Sequence, residues 1–138
     1  MREVYELVDS SDAVILASPM YFTSFPAPLK LIIDRFQAYW SRKFIIKDNK
    51  LVKRKKGVLL MTSGVKAEQG FSHCEAVAKQ FFSLINAEFT LKIYGEGTDE
   101  NPVEKNEELI RASGKKAVNY AEQSDFRLLF FLGHPCFL

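Results

Sequence analysis

Two short stretches hold the residues that could do chemistry. The first, SPMYFTSFPAP at residues 18–28, follows an apolar run, and the second, TSG at residues 62–64, follows another. Pro19 fixes its own φ and restrains the residue before it, so the first stretch turns stiffly and presents aromatic rings. The second offers two hydroxyls and a glycine whose backbone a ligand can approach closely. A flat heteroaromatic ligand with hydrogen-bonding edges would use both stretches.

The two stretches are predicted to meet at one edge of a parallel sheet. AVILAS (13–18) and GVLLMTSG (57–64) are typical of strands covered on both faces, because their apolar residues run without polar alternation. EFTLKIYG (88–95) alternates instead, which indicates an edge strand or one with a wetter face. Ligands of such sheets bind at the carboxyl ends of the strands, where both stretches begin.

Helical patterns separate these strands. In each pattern the apolar residues recur at helical spacing and are predicted to face inward. Those residues are Val4, Leu7 and Val8, then Leu29, Ile32, Ile33, Phe36 and Trp40, then Phe71, Cys74, Ala78, Phe81, Phe82 and Ile85, and after Asn101-Pro102 also Leu109, Ile110, Ala117, Tyr120 and Ala121. Strands that alternate with crossover helices predict an α/β fold with a parallel sheet and helices on both faces.

Composition excludes several classes of function. The 138 residues suffice for one domain, and a net charge of +2 is too small to argue for a nucleic-acid partner. The apolar stretches reach only about half a membrane span, so we expect no transmembrane helix and no membrane partner. Two cysteines form neither a disulfide framework nor a metal quartet, which favours a reducing cytoplasm.

The remaining conspicuous residues have ordinary interpretations. The basic run at 47–57 (Lys47, Lys50, Lys53, Arg54, Lys55 and Lys56) is interpreted as a solvated connection, with attraction of a dinucleotide phosphate or nucleic acid as the alternative. Neighbours on a helix point about 100° apart, so His73 and Cys74 do not form a catalytic or metal pair, and Cys74 is predicted to be core. His134 and Cys136 have no partners in the sequence.

The block SDAVILASPMYFTSFPAPLKLIIDRF (11–36) resembles flavodoxin-like NAD(P)H-dependent FMN reductases and their iron–sulfur flavoprotein relatives. The resemblance extends over about residues 1–123 and implies an FMN-dependent oxidoreductase that carries hydride from NAD(P)H to a small-molecule electron acceptor. It implies no catalytic acid or base. It does imply that residues of both loops contact the flavin: Ser18, Pro19, Met20, Tyr21, Phe22, Thr62, Ser63 and Gly64.

The chain also departs from that family. The strand, phosphate-binding loop, helix and second strand that open the family's fold have no counterpart before Met1, so about three strands of a truncated flavodoxin-like domain are expected. We assign residues 1–124 to this partial domain and residues 125–138 to a tail of uncertain structure. Losing the phosphate loop predicts poor FMN binding. Two alternatives to an FMN-dependent oxidoreductase are therefore open: a degenerate domain without cofactor that acts by protein association, or a gene fragment.

The missing strands would leave AVILAS as an unpaired edge. Three outcomes are open. The apolar run RLLFFL (127–132) in the tail pairs with AVILAS in its own chain, or two copies form a homo-oligomer through that edge, or the tail is helical or disordered.

Overall fold

The computed structural model describes residues 1–47, 53–111, 113–114 and 127–132. The elements are α1 (Arg2–Ser10), β1 (Ala13–Pro19), α2 (Ala27–Arg35), α3 (Gln37–Ser41), a π-helical turn (Arg42–Ile46), β2 (Lys55–Thr62), α4 (Glu68–Leu84), β3 (Ala87–Gly95), a 3₁₀ turn (Val103–Lys105) and β4 (Leu128–Leu132). Helical backbone also occurs at 107–111 and 113–114. The predicted inward positions Ala117, Tyr120 and Ala121, and the tail residues His134 and Cys136, lie outside the described residues.

All pairings in the sheet are parallel, and the strand order is β3-β2-β1-β4. This is the flavodoxin-like α/β class that the sequence predicts. The described residues form four strands of this sheet rather than about three, because the tail contributes β4. β3 lies at an edge, as its alternating pattern predicts.

The tail strand resolves the question of the open edge. β4 pairs with β1 in a register from Ala13↔Leu128 to Ala17↔Leu132. Of the three outcomes, pairing within the same chain is therefore confirmed. The tail segment 128–132 belongs to the same sheet as the rest of the domain.

The main core lies between one face of the sheet and helices α1 to α4. Val14, Leu16, Leu59 and Met61 point to this face, where they join the buried residues of the four helices. Phe81 of α4 contacts Phe131 of β4, with ring centroids 6.3 Å apart. All six predicted inward residues of α4 are buried, including Cys74. The opposite face carries Ala17, Leu60 and Ile93. The residues Val103, Leu109, Ile110 and Ser113 approach it.

Three predicted inward residues on the helices are exposed, namely Leu7, Trp40 and Ile110, of which Ile110 is 49% exposed. α2 ends at Phe36, whose φ of −72° and ψ of 1° break the helix before α3 begins. The break shifts the helical phase, so Tyr39 is buried and its hydroxyl donates to the Asp9 carboxylate at 2.8 Å, while Trp40 faces outward. Leu7 of α1 is also exposed, whereas Val8 is buried and Val4 and Tyr5 pack partly against the core.

The interpretation of Lys55 as part of a solvated connection is wrong. β2 begins at Lys55 rather than at Gly57, and the lysine is only 3% exposed. Its ammonium donates to the Lys53 carbonyl at 2.9 Å, and burial lowers the pKa of the Lys55 amine. The neighbouring Lys53 and Arg54 are exposed, in line with the prediction.

No helix in the described ranges is long and apolar enough to cross a bilayer.

Candidate functional site

The two predicted loops leave the sheet side by side. β1 and β2 run parallel to their last residues, where Pro19 is opposite Thr62. Immediately beyond them, the Met20 backbone N–H donates to the Thr62 carbonyl at 2.8 Å. This bond fixes the starting point of the first loop relative to the second.

A tight turn presents the aromatic residues of the first loop. The backbone groups of Tyr21 and Ser24 exchange two hydrogen bonds, each 3.0 Å long. Between them Phe22 and Thr23 have φ values of 49° and 60°. Two successive positive φ values are those of a type I′ turn, which normally holds Asn and Gly rather than a bulky or β-branched residue. Phe22 is fully exposed at its tip, and Tyr21 is 46% exposed.

The turn packs against the N-terminal part of α4. Met20 is buried and packs against Gly70. An ideal Cβ on Gly70 would lie only 2.5 Å from the Met20 Sδ, so this position has no room for a side chain. The Cys74 thiol donates to the Thr23 carbonyl over 3.7 Å. Burial raises the pKa of this thiol to about 11, so it keeps its proton at neutral pH and remains a donor. Cys74 is thus a supporting residue of the loop and not a nucleophile.

The second loop is tied to the chain that follows β3. The Ser63 N–H donates to the Gly95 carbonyl at 2.8 Å, and the Ser63 carbonyl accepts from the Thr98 N–H at 3.0 Å. Next to it the Asp99 N–H donates to the Gly64 carbonyl at 3.2 Å. The Asp99 carboxylate also covers Gly64, since its oxygens lie 2.5 and 2.6 Å from an ideal Cβ on that glycine. A negative charge therefore lies against the second predicted loop.

A cavity of about 440 Å³ opens beneath the ends of β1 and β2, on the sheet face opposite α4. Its volume is in the range of small-molecule sites. Strand residues and the segment after β3 form mostly apolar walls, and hydroxyls occur at a few positions. The lining residues are Ala17, Ser18, Pro19, Leu60, Met61, Thr62, Ile93, Gly95, Val103, Leu109, Ile110 and Ser113.

The eight predicted site residues therefore divide into four groups. Ser18, Pro19 and Thr62 line the cavity. Tyr21 and Phe22 project from the turn into solvent, and Gly64 lies under the Asp99 carboxylate. Met20 and Ser63 are buried and support the loops. All eight lie at one edge of the sheet, and their contact with a flavin stays a prediction.

Sequence reasoning missed the cavity residues at the end of β3 and after it. Gly95 ends β3 and Leu109 and Ile110 follow it, and all three line the cavity, although the alternation of this strand suggested only an edge or a wetter face. Gly95 lies so close to this segment that an ideal Cβ there would be 2.9 Å from Leu109 Cδ2. The signal was available, because β3 also ends at this edge of a parallel sheet.

Residues 1–94 match the model of a family described as NADPH-dependent FMN reductase. The chain belongs to this family. The resemblance read from the SPMYF block is thereby confirmed.

Two curated relatives are both named iron-sulfur flavoprotein. The protein from Archaeoglobus fulgidus is 50% identical over 42 residues, which are 30% of this chain and 19% of that protein. The protein from Methanosarcina thermophila is 35% identical over 48 residues, which are 35% of this chain and 25% of that protein. The matched part of the chain thus spans a quarter or less of each relative's length.

The described residues fit the ring of FMN better than its phosphate. This edge offers a planar ring apolar strand ends, exposed aromatic side chains and the hydroxyl of Thr62, whereas the Ser18 hydroxyl donates to the Pro19 carbonyl at 2.7 Å. A phosphate needs backbone N–H groups or cations. The segment that closes the second loop is instead acidic, with Asp99 and Glu100 exposed there. The described residues also include no group of three or more His, Cys, Asp or Glu side chains that could hold a metal.

Proposed function

We propose that this protein is an FMN-dependent oxidoreductase that accepts hydride from NAD(P)H and passes electrons to a small-molecule acceptor. The observation that carries the proposal is the exposed turn Tyr21–Ser24, fixed beside the end of β2 in a chain of the FMN reductase family. When bound, FMN supplies the redox chemistry itself, so the protein needs no catalytic acid or base.

The protein's part is to hold and shield a ring. Tyr21 and Phe22 would supply its aromatic platform, because their side chains are already exposed at the sheet edge. Ser18, Pro19 and Thr62 would line the side that leads into the cavity. The non-glycine turn residues support this role. Left-handed backbone at a non-glycine residue costs about 1–2 kcal/mol, and such strain concentrates at functional sites.

The affinity for FMN should be low. Charge-assisted hydrogen bonds to a phosphate are worth about 1.5–3 kcal/mol each. A flavin site that makes three fewer of these bonds binds more weakly by roughly three to six decades if their contributions add. The carboxylate of Asp99 against Gly64 makes an anion still less favourable there. A site that holds only the ring would bind the flavin at about millimolar concentration.

Flavin titration with FMN and riboflavin tests this function. The two ligands share the ring, and only FMN has the phosphate. We expect quenching of both fluorescences with similar, weak affinity, and NADPH oxidation that depends on added flavin and on a quinone acceptor. FMN binding much tighter than riboflavin binding would show that a phosphate site exists and contradict the low-affinity argument. Absence of binding by either flavin would contradict the proposed function.

The second candidate is a cofactor-free domain of the same fold that acts by protein association. One specific observation favours it. Apolar side chains are exposed around the π-helical turn, where Phe44, Ile45 and Ile46 are each more than half exposed. The riboflavin titration separates the two candidates, since a domain without flavin function would quench neither ligand.

A further inference from the structure

The two edges of the sheet differ in how they are protected. Natural edge strands avoid pairing with other chains by means of charged residues, prolines or bulges. β3 follows this rule, because Glu88 and Lys92 are charged and exposed and its pairing with β2 shifts register between Gly57 and Val58. β4 has the sequence LLFFL, with no charge and no proline. The β4 edge is therefore open to pairing by its composition.

The backbone groups of β4 alternate between two directions. The Arg127 carbonyl accepts from the Asp12 N–H at 2.9 Å, and the Arg127 N–H donates to the Asp12 carboxylate at 2.9 Å. Arg127 thus directs both of its backbone groups toward β1. Backbone groups of successive strand residues point to alternate sides, so those of Phe130, three residues on, point away from β1. Among the described residues, no strand lies beyond β4 to receive them.

Phe130 differs from its neighbour in burial. Phe131 packs in the main core, while Phe130 is on the opposite face of the sheet and 51% exposed. An exposed aromatic ring and two backbone groups that pair with no described strand therefore occur at the same residue, in the middle of β4.

We propose that the β4 edge pairs with β4 of a second copy of this chain, antiparallel and with Phe130 on the two-fold axis. A two-fold axis perpendicular to the sheet makes two identical edges antiparallel. In this register Phe130 is opposite Phe130 of the second copy, and Leu129 is opposite Phe131 of that copy. The near-palindrome LLFFL thus brings apolar residues together at every position.

The proposed pairing gives a partner both to the outward backbone groups of Phe130 and to its exposed ring. Its outward N–H and carbonyl exchange two hydrogen bonds with the same groups of the second copy. The two rings become a cross-strand aromatic pair, which is among the favourable pairs in sheets. Two sheets of four strands would join into one continuous sheet. A contact of five residues per copy is short, so we expect a weak dimer that depends on concentration.

Charge exchange at position 130 tests the two-fold axis. Phe130→Lys and Phe130→Glu each place like charges opposite each other, so each variant alone should be monomeric in sedimentation experiments at concentrations where the wild type dimerises. An equimolar mixture should recover a heterodimer, because the charges are then opposite. Leu31→Lys, at a 60% exposed apolar position of α2, is the control and should dimerise like the wild type. A wild type that is monomeric at all concentrations, or folded variants that dimerise alone or fail to recover when mixed, would overturn the proposal.

Hydrogen exchange in the wild type gives a second test that does not depend on the folding of a variant. The Phe130 amide should become protected as the protein concentration rises, while the Phe131 amide should be protected at every concentration. A Phe130 amide that exchanges at the same rate in monomer and dimer would show that the dimer forms elsewhere and would overturn the proposal.

Discussion

Asp12 and Arg127 are 115 residues apart in the sequence and are hydrogen-bonded in the fold. The Asp12 carboxylate accepts from the Arg127 N–H, and it also forms an ion pair with Lys53 at the approach to β2. The Asp12 N–H donates to the Arg127 carbonyl in return. One residue at the start of β1 therefore connects both neighbouring strands at the amino end of the sheet.

We expect Asp12→Ala to loosen β4 while the rest of the sheet stays folded. The substitution removes the acceptor for the first backbone N–H of the tail strand and leaves Lys53 without its partner. Hydrogen exchange at Leu129 and Phe131 should accelerate, with little change at Leu59 in β2. Asp34→Ala is the control, because Asp34 also pairs with a lysine but lies on the exposed surface of α2. Equal acceleration in both variants would contradict the role of Asp12.

Acid should release β4 in the same way. Hydrogen bonds from the Lys53 ammonium and then the Arg127 N–H lower the pKa of the Asp12 carboxyl. A lowered pKa means that the stabilisation is complete above the ordinary carboxyl pKa and is lost as pH falls through the folded value. In the wild type, the hydrogen exchange rate of the Phe131 amide should therefore rise as the pH falls below the ordinary pKa of an Asp carboxyl. In Asp12→Ala this rate should depend less on pH.

Glu75 on α4 accepts from three donors, one on the same helix and two on β3. Its carboxylate accepts from Lys79 at 2.7 Å, from Lys92 at 2.7 Å and from the Tyr94 hydroxyl at 2.9 Å, and its side chain is only 14% exposed. Hydrogen bonds to a charged group contribute about 1.5–3 kcal/mol. We expect Glu75→Gln to lower the free energy of unfolding by about that amount in urea titrations. Glu104→Gln, which changes an exposed carboxylate of the 3₁₀ turn, should have little effect.

The contribution of Glu75 should depend on pH. Hydrogen bonds from Lys79 and Lys92, and that from Tyr94, lower the pKa of the carboxyl to about 2. The contribution is therefore present above the ordinary value of 4.5 and is lost as pH falls toward about 2. The stability difference between wild type and Glu75→Gln should shrink across this interval. A difference that stays constant would mean that the glutamine disturbs packing and that the charge contributes little.

The sequence predicted the parts of the fold in which local pattern and tertiary packing agree. A helix buries the predicted inward residues of α4, and a strand covered on both faces accommodates the unbroken apolar run of β1. The structure has these two arrangements. The prediction for Trp40 is wrong because the backbone break at Phe36 shifts the helical phase. The residue types around Phe36 do not indicate such a break. Lys55 was misassigned because a long side chain can bury its stem within a strand and still satisfy its ammonium at a carbonyl.

The candidate site was only partly predictable for a related reason. A motif identifies which loop lies at the ligand edge, but not which way each side chain of that loop points. Met20 and Tyr21 are adjacent in the motif, yet one packs against Gly70 and the other is half exposed. The carboxylate on Gly64 comes from Asp99, 35 positions further along the chain, and only the hydrogen bonds of the chain after β3 bring it there.

The contact between Met20 and Gly70 should control the position of the turn. Gly70→Ala places a methyl group 2.5 Å from Met20 Sδ and 3.3 Å from the Thr23 Cα. Overpacking typically costs 1–3 kcal/mol, against a gain of roughly 1 kcal/mol from replacing glycine within a helix. We expect Gly70→Ala to be destabilising in the wild type and close to neutral in a Met20→Ala background. Strict additivity in this double-mutant cycle would contradict the contact.

Tyr21 should contribute to flavin binding, whereas an equally exposed aromatic residue elsewhere should not. Tyr21 is 46% exposed on the turn, and Phe44 is 54% exposed on the π-helical turn outside the predicted loops. An aromatic contact is worth about 0.5–1.5 kcal/mol beyond the area that it buries, so Tyr21→Ala should weaken riboflavin binding by about 1–2 kcal/mol. Phe44→Ala should leave the affinity unchanged, and both variants should keep the far-ultraviolet circular dichroism of the wild type. Riboflavin rather than FMN is the appropriate ligand, because it reports on the ring alone. Equal losses from the two substitutions would mean that the flavin binds to exposed aromatic surface in general, and the assignment of the Tyr21–Ser24 turn as the ring platform would then be wrong.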